Sequence, residues 1–374
     1  MKDYFWYCCS ILFRYFPLRY PPGIVALGHP DKNSLVLISG NYFLTVFKLK
    51  RILKNLNCYI LVVDSAGVNV WCAAGAGDFN ENKVVDAIFT YKLDELVSHR
   101  RVILPQLAAV GVDLQILRQR SGFNGEWGPA SFYDLPEYLA QDKRSISERM
   151  HILRMPFFDR MELAIGMVGT YFLSYLKYYI IFALFLGMQY NHDVFLITIA
   201  YTITILLTPF LDFLPFKWAT NNLMVISIPS YFFLWWYVES YPAFIHMLPI
   251  YLLANSVFTI LICMDILGST IHFKSSVANW LCTFNNKSYF GPKLVSERCT
   301  KCHACQNICP KGIIGEEDNG YPSFQLELEC CECLACVKQC QALAILNINA
   351  PKFKGDIKSI PQEQLAQVMG EKYY

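Results

Sequence analysis

Hydrophobic and polar positions alternate in three different ways along this chain. From residue 23 to about 160, short apolar runs ("SLVLISG", "CYILVVD", "RVILPQL") are interleaved with amphipathic stretches ("YFLTVFKLKRIL", "KVVDAIFTYKLDELVSHR", "VDLQILRQR"). Runs of the first kind suit buried strands and the longer ones suit helices with one apolar face. The rhythm predicts an α/β domain around a largely parallel, Rossmann-like sheet. Such sheets place ligands at the carboxyl ends of their strands, which is where Asn69 to Gly77 falls, just after "CYILVVD".

From 161 to 270 the pattern loses its polar beats: "LAIGMVGTYFLSYLKYYIIFALFLG", "VFLITIAYTITILLTPFLDFL", "LMVISIPSYFFLWWYV" and "AFIHMLPIYLLANSVFTILICMDILG". A bilayer span needs roughly 17 to 25 such residues, so an α-helical transmembrane domain of about four helices is expected, in contact with membrane lipid. The loops "MQYNHD" and "ESYPA" hold no lysine or arginine, whereas the segment before the first run is arginine-rich, Lys217 follows the second and Lys274 the fourth. The positive-inside rule then predicts a multi-pass protein of the cytoplasmic (inner) membrane with both flanking domains in the cytoplasm. Lys177, inside the first run, reads as a snorkelling side chain or as a sign that the span starts later, with an ion path the competing reading. The arm 1–22 is aromatic but broken by Arg14 and Pro17 and has no small-residue cleavage site, so it reads as a packed or interfacial arm and not as a signal peptide.

Composition sharpens two points. With 54% hydrophobic and only 17% charged residues, the 374-residue chain is too apolar on average for an ordinary soluble protein. A net charge of +2, with no basic run interleaved with aromatics, sets nucleic acid aside as a partner.

The cysteines change the picture most. In 294–350, Cys299, Cys302, Cys305 and Cys309 follow C-x-x-C-x-x-C-x-x-x-C ahead of Pro310, and Cys330, Cys333, Cys336 and Cys340 repeat it ahead of Gln341. In bacterial-type ferredoxins three thiolates clasp one cubane and the fourth reaches the other cluster. The order therefore assigns Cys299, Cys302, Cys305 and Cys340 to a first [4Fe-4S] cluster, and Cys309, Cys330, Cys333 and Cys336 to a second, in an α+β ferredoxin domain. Zinc knuckles would not need eight cysteines in this duplicated order. Cys331 lies out of register and reads as a spectator. A linker at 271–293 and a tail at 351–374 complete the division.

One thiol stands apart. Cys72 sits in "NVWCAAGAGDF", which fails the G-x-G-x-x-G fingerprint at Asn80 and has no Walker lysine. As a nucleophile it lacks a local histidine, His99 being the nearest downstream, and as a packed thiol it would be unremarkable. Against packing, Asn69 can cap a helix starting after it, and Ala73, Ala74, Gly75 and Gly77 leave a smooth face for a large flat ligand.

"NVWCAAGAG" resembles the cap-helix motif of the mercury-methylating corrinoid protein family, itself related to the corrinoid subunit of the acetyl-CoA decarbonylase/synthase complex. The similarity continues through "SGNYFLTVFKLKRIL", "HRRVILPQLAAVGV", "SGFNGEWGPASFYDLPEYL" and "MDILGSTIHFKSSV", and the tail is similar to that family's separate two-cluster ferredoxin partner. The chain thus resembles a natural fusion of the two, with a corrinoid-binding domain at 23–160.

The resemblance implies that Cys72 is the lower axial cobalt ligand of a cobalamin-type corrinoid held by Asn69, Val70, Trp71, Cys72, Ala73, Ala74 and Gly75. A soft thiolate donor would give the trans methyl group carbanion character, suiting transfer to Hg(II) or another soft electrophile. The ferredoxin, fed by a low-potential electron donor, would return cobalt to Co(I), and covalent linkage would raise its local concentration. A methylated-pterin-dependent methyltransferase is the implied methyl donor. The implied activity is an anaerobic corrinoid-dependent methyltransferase that methylates mercury. The competing readings are the same transfer to a different acceptor, and a membrane electron-transfer iron-sulfur protein without methyl transfer.

The match departs at Ala76, usually lysine, and Asp78, usually threonine. It departs again after Cys340, where the ferredoxin partner carries further cysteines suspected of delivering Hg(II). Cys8 and Cys9 are the candidates for a substitute thiol relay, with Cys282 a further thiol ahead of the first cluster motif. The family is often described with five spans, whereas four keep both domains on one side.

Overall fold

A computed structural model describes residues 2–12, 18–140, 146–186, 190–214, 219–269, 292–324, 330–331 and 333–347. Lys217, Lys274, Cys282, the side chain of Lys177, the 351–374 tail and nearly all of the 271–293 linker lie outside the described residues. The chain forms two compact units: a helical one from 1–16 and 155–285, and a mixed one from 17–154 and 286–374.

Helix α1, Lys2–Leu12, belongs to the helical unit. The mixed unit begins with strands β1 (Gly23–Leu27) and β2 (Leu35–Gly40), helix α2 (Phe43–Ile52), strand β3 (Cys58–Val63), and helices α3 (Val70–Ala76), α4 (Glu81–Thr90) and α5 (Leu93–Leu96). Strand β4 (Arg101–Leu104), helix α6 (Leu114–Ser121), strand β5 (Asn124–Trp127) and helices α7 (Leu135–Ala140) and α8 (Glu148–His151) complete its first part. The sheet order is β1-β3-β2-β4-β5, with β1 antiparallel on β3 and every other pair parallel.

The expected α/β sheet is therefore present. Strand β3 is buried at every position, as an unbroken apolar run must be when both faces of a parallel sheet are covered. Period-two alternation divides it between two cores: Leu61 and Val63 pack with Val84, Ile88 and Leu117 on one face, and Ile60 and Val62 with Val46, Leu49 and Tyr138 on the other. Two strands, β1 and β5, were not expected. Both are sheet edges, and "NGEW" in β5 carries no apolar alternation because none of its residues is fully buried. Among the parallel strands the order reverses between β2 and β4, which is a topological switch point.

In the helical unit, α9 (Phe157–Leu186), α10 (Tyr190–Leu207), α11 (Ala219–Ser240) and α12 (Leu248–Ser269) occupy the four predicted apolar runs. Among the described residues, one segment, Pro242–Leu261, is long and apolar enough to cross a membrane. Buried polar groups are interspersed in these helices: Thr204 bonds Ser230 at 3.1 Å, Asn255 donates to Ser230 at 2.9 Å, and Tyr251 donates to Asp193 at 2.6 Å.

The mixed unit resumes with β6 (Pro292–Leu294), α13 (Ala304–Ile308), β7 (Ile314–Glu316), β8 (Pro322–Phe324), α14 (Ala335–Lys338) and β9 (Ile345–Asn347). Two antiparallel pairs, β6 with β9 and β7 with β8, frame two short helices that each carry cysteines. The regions predicted as separate domains pack as one: Cys305, Ile308, Ala335 and Val337 share an apolar cluster with Leu61 and Val84.

Candidate functional site

The carboxyl ends of β2 and β3 are tied together before α3 begins. Asn41, just past β2 and 1% exposed, accepts at Oδ1 from the backbone N–H groups of Ser65 and Gly67, both at 2.9 Å, and donates from Nδ2 to Asp64 at 2.9 Å. The Ser65 hydroxyl accepts from Asn41 N at 3.0 Å and donates to Val68 O at 2.7 Å. Every polar group of this buried knot is satisfied, so the loop leading to Asn69 is held in one shape. Gly40 is required by the closeness of the knot, because a Cβ there would stand 2.6 Å from Ser65 Oγ. Sequence reading missed Asn41 and Ser65, although "SGN" after an apolar run was a visible signal.

Asn69 then caps α3, as expected. Its Oδ1 accepts from Cys72 N at 3.0 Å, and its Nδ2 donates to Cys72 Sγ at 3.3 Å. The cap thus also orients the thiol, which is half-buried at the start of the helix. Gly77 ends α3 in the left-handed region at φ 86°.

The expected small-residue face requires a correction. Ala73 and Ala74 are buried in the core with Val70, and Trp71 packs against it. Helical periodicity turns Cys72, Gly75 and Ala76 outward instead, and a Cβ at Gly75 or Gly77 would meet nothing within 4 Å. The surface beside the sulfur is therefore smooth and open, which fits a flat macrocycle, but it is made by Gly75, Ala76 and Gly77.

His99 is not a partner of Cys72. It accepts from Arg101 N at 3.2 Å through Nδ1, so Nε2 donates to Ser34 O at 2.9 Å, at the opening of β2 and the opposite end of the sheet.

Behind α3 runs the loop 106–113. A Cβ on Gly111 would lie 2.3 Å from Phe79 O and 3.0 Å from Ala74 Cα, so the loop approaches the helix as closely as only glycine permits. The other side of this loop receives the C-terminal region. Gln339 Nε2 donates to Ala109 O and Val112 O, both at 2.9 Å, and Lys338 Nζ donates to Gly111 O at 2.7 Å while standing 3.6 Å from Glu81 Oε2. A second tie joins Leu153 N to Pro310 O at 2.9 Å. None of Glu81, Lys338 and Gln339 was singled out from sequence.

The cysteines sort into two groups. Burial pushes the Cys305 thiol up to about 11, and its thiol neighbours are Cys340, Cys302 and Cys299. Cys309, Cys330, Cys333 and Cys336 line one pocket. Burial raises Cys309 and Cys336, and Cys333 is raised first by its bond to Cys331 and then by burial. Cys331, read as a spectator, lines the same pocket. Among the described residues no three His, Cys, Asp or Glu side chains converge on a single ion position. Cubane ligands each hold a different iron, so they stand farther apart than the ligands of one zinc. The fourth cysteine of each motif thus stands with the other motif's first three. Cys8 is exposed and Cys9 half-buried on α1, in the helical unit.

Residues 14–129 match the family model of the CO dehydrogenase/acetyl-CoA synthase delta subunit. The gamma subunit of the acetyl-CoA decarbonylase/synthase complex from Methanopyrus kandleri is 30% identical over 129 residues, 34% of this chain and 27% of that protein. Its counterpart gamma 2 from Methanosarcina thermophila is 36% identical over 99 residues, 25% of this chain and 21% of that protein. The pyruvate synthase subunit PorD of Methanocaldococcus jannaschii is 38% identical over 64 residues, 17% of this chain and 72% of that protein. The chain spans 20% to 27% of the length of the gamma subunits it matches.

Proposed function

We propose, from the premise that the chain belongs over 64 residues to the family of the pyruvate synthase subunit PorD and is related over residues 14–129 to acetyl-CoA synthase subunits, that it is a corrinoid-dependent methyltransferase with a fused two-cluster reductant. The reading extends to a membrane anchor in α9–α12, a cytoplasmic mixed unit and Hg(II) as methyl acceptor.

The observation that carries it is Cys72: a thiol aimed by Asn69 at an open, side-chain-poor surface beside the carboxyl ends of the parallel strands. A bound corrinoid would supply cobalt-carried methyl transfer, and two [4Fe-4S] clusters would supply the low-potential electrons that restore the cobalt. Cys72, held in position by the Asn41–Ser65 knot and the Asn69 cap, would offer a bound corrinoid's cobalt a soft sulfur donor. Gly75, Ala76 and Gly77 leave room for the macrocycle. Cys299, Cys302, Cys305 and Cys340 hold one cluster, and Cys309, Cys330, Cys333 and Cys336 the other. A methylated-pterin methyltransferase is the proposed donor, and Cys8 with Cys9 the proposed thiol relay.

A second reading keeps the methyl chemistry but changes the acceptor. The exposed Ala76 and Asp78, which stand where the resembled family carries lysine and threonine, alter the charge beside the proposed corrinoid pocket.

The test uses an anaerobic methylating host stripped of its own corrinoid and ferredoxin genes and given this chain or its Cys72→Ala variant. Methylmercury from the wild type alone supports the mercury reading. Cobalt bound by wild type without methylmercury moves the proposal to another acceptor, and no bound cobalt overturns it.

A further inference from the structure

The two cysteine motifs are internal copies, yet they differ where they meet the sheet domain. Between its last two cysteines the first copy reads Gln306, Asn307, Ile308 and the second Val337, Lys338, Gln339. In the first copy Ile308 is buried and Gln306 turns inward, donating to Gly315 O at 2.6 Å. In the second copy the polar pair turns outward to the loop behind α3. Both amide protons of Gln339 are used there, one on Ala109 O and one on Val112 O. Lys338 reaches Gly111 O and the Glu81 carboxylate, which is almost wholly buried and also accepts from Asp113 N at 3.1 Å.

We infer that Lys338 and Gln339 form a docking latch that positions the cluster-bearing region against the back of the Cys72 helix for electron delivery. The inference rests on the corrinoid reading above. The latch segment lies between Cys336 and Cys340, which the cysteine grouping assigns to different clusters, so a shift of this segment moves ligands of both. Gly111, which Lys338 grips from one side, touches Ala74 on the other, two residues beyond Cys72. One backbone loop thus lies between the latch, from which it accepts a hydrogen bond, and the buried Ala73–Ala74 face of the helix that carries Cys72. Lys338 and Gln339 are positioning residues, since neither is assigned to a cluster or to the corrinoid.

The reasons for selectivity are electrostatic and geometric. Glu81 is buried deeply enough that removing its cation leaves an uncompensated charge, so the latch should be intolerant of loss but tolerant of a conservative cation. A glutamine with both donors engaged fixes rotation as well as contact. The Leu153–Pro310 bond supplies a second anchor, so losing the latch allows pivoting without release.

The experiment compares wild type, Lys338→Met/Gln339→Leu and Lys338→Arg as full-length membrane protein. Cluster content is read by iron analysis and by electron paramagnetic resonance after dithionite reduction. Amide exchange over 106–113 is read in protein without corrinoid. Cobalt reduction by pre-reduced clusters is followed by its absorption change. Loss of the latch is expected to leave the cluster signals intact, release protection of the 109–113 amides and slow cobalt reduction by about tenfold or more, with Lys338→Arg retaining most of the rate. Unchanged exchange and rate in the double variant overturn the latch while leaving the corrinoid reading standing. Wild-type clusters that do not reduce bound cobalt overturn the corrinoid-reductase reading itself. Lost cluster signals in the double variant also overturn the latch, since the pair would then be serving the cluster fold.

Discussion

Asn69 does two things with one side chain, and a single substitution separates them. Asn69→Ala removes both the 3.0 Å cap on Cys72 N and the 3.3 Å donation to Cys72 Sγ. Losing an N-cap costs about 1 kcal/mol, which in a cooperative unit of this size lowers Tm by about 2 to 4 °C. Asn69→Asp keeps the acceptor and adds a charge that a helix N-terminus favours, so its Tm should match wild type. It nevertheless replaces the donating amide with a carboxylate oxygen facing the sulfur. Two unit charges at the 3.3 Å of this contact repel by about 1.3 kcal/mol in water-like surroundings and about 5 kcal/mol at an effective dielectric of about 20. Half-burial of Cys72 places the sulfur between these limits. On the corrinoid reading proposed above, sulfur ligation of cobalt should therefore weaken by about tenfold or more in the aspartate variant, at unchanged fold stability. The assay pairs thermal unfolding with the absorption and paramagnetic resonance spectra of bound corrinoid. An aspartate variant with the wild-type cobalt spectrum would refute the orienting role, and an alanine variant with wild-type Tm would refute the cap.

Other residues give sharp expectations. Gly75→Ala should stabilise the corrinoid-free protein by about 0.5 to 1 kcal/mol, because the helix gains and the added methyl meets nothing, while lowering cobalt bound per chain; thermal unfolding and metal analysis read the opposite signs. Gly111→Ala should lower the urea midpoint by an amount equivalent to about 1 to 3 kcal/mol, since its methyl would press on Phe79 O and neither backbone can retreat. Burial pushes the Cys58 thiol from 9.0 to about 11, so the folded state holds its proton more tightly than the unfolded state. Its contribution is whole below pH 9 and lost progressively between pH 9 and 11, about 3 kcal/mol in all, so denaturation curves of wild type should fall more steeply over that window than those of Cys58→Ala.

Legibility followed the distance over which each signal acts. Strand β3 was readable because both its faces are covered, an unbroken apolar run being a local property of the sequence. Strand β5 was not, since "NGEW" takes its conformation from pairing with β4 rather than from its own pattern. Around Cys72 the residue types were legible but not their directions: small residues suggested a continuous smooth face, and the helical period sent Ala73 and Ala74 into the core. The contacts of Lys338 and Gln339 were invisible. Their partners on the loop lie 227 to 230 residues away, and neither residue type stands out on its own.

That separation sets an order of events while the chain is being made. At about 5 to 20 residues per second, the 227 residues between Gly111 and Lys338 take roughly 11 to 45 s to synthesise. Throughout that interval the sheet domain presents Glu81 without its cation and an apolar loop surface without its cover. The surface closes only when the second cysteine motif has emerged, so a chain cut short before that point keeps Glu81 and the carbonyls of Ala109, Gly111 and Val112 without the groups that cover them.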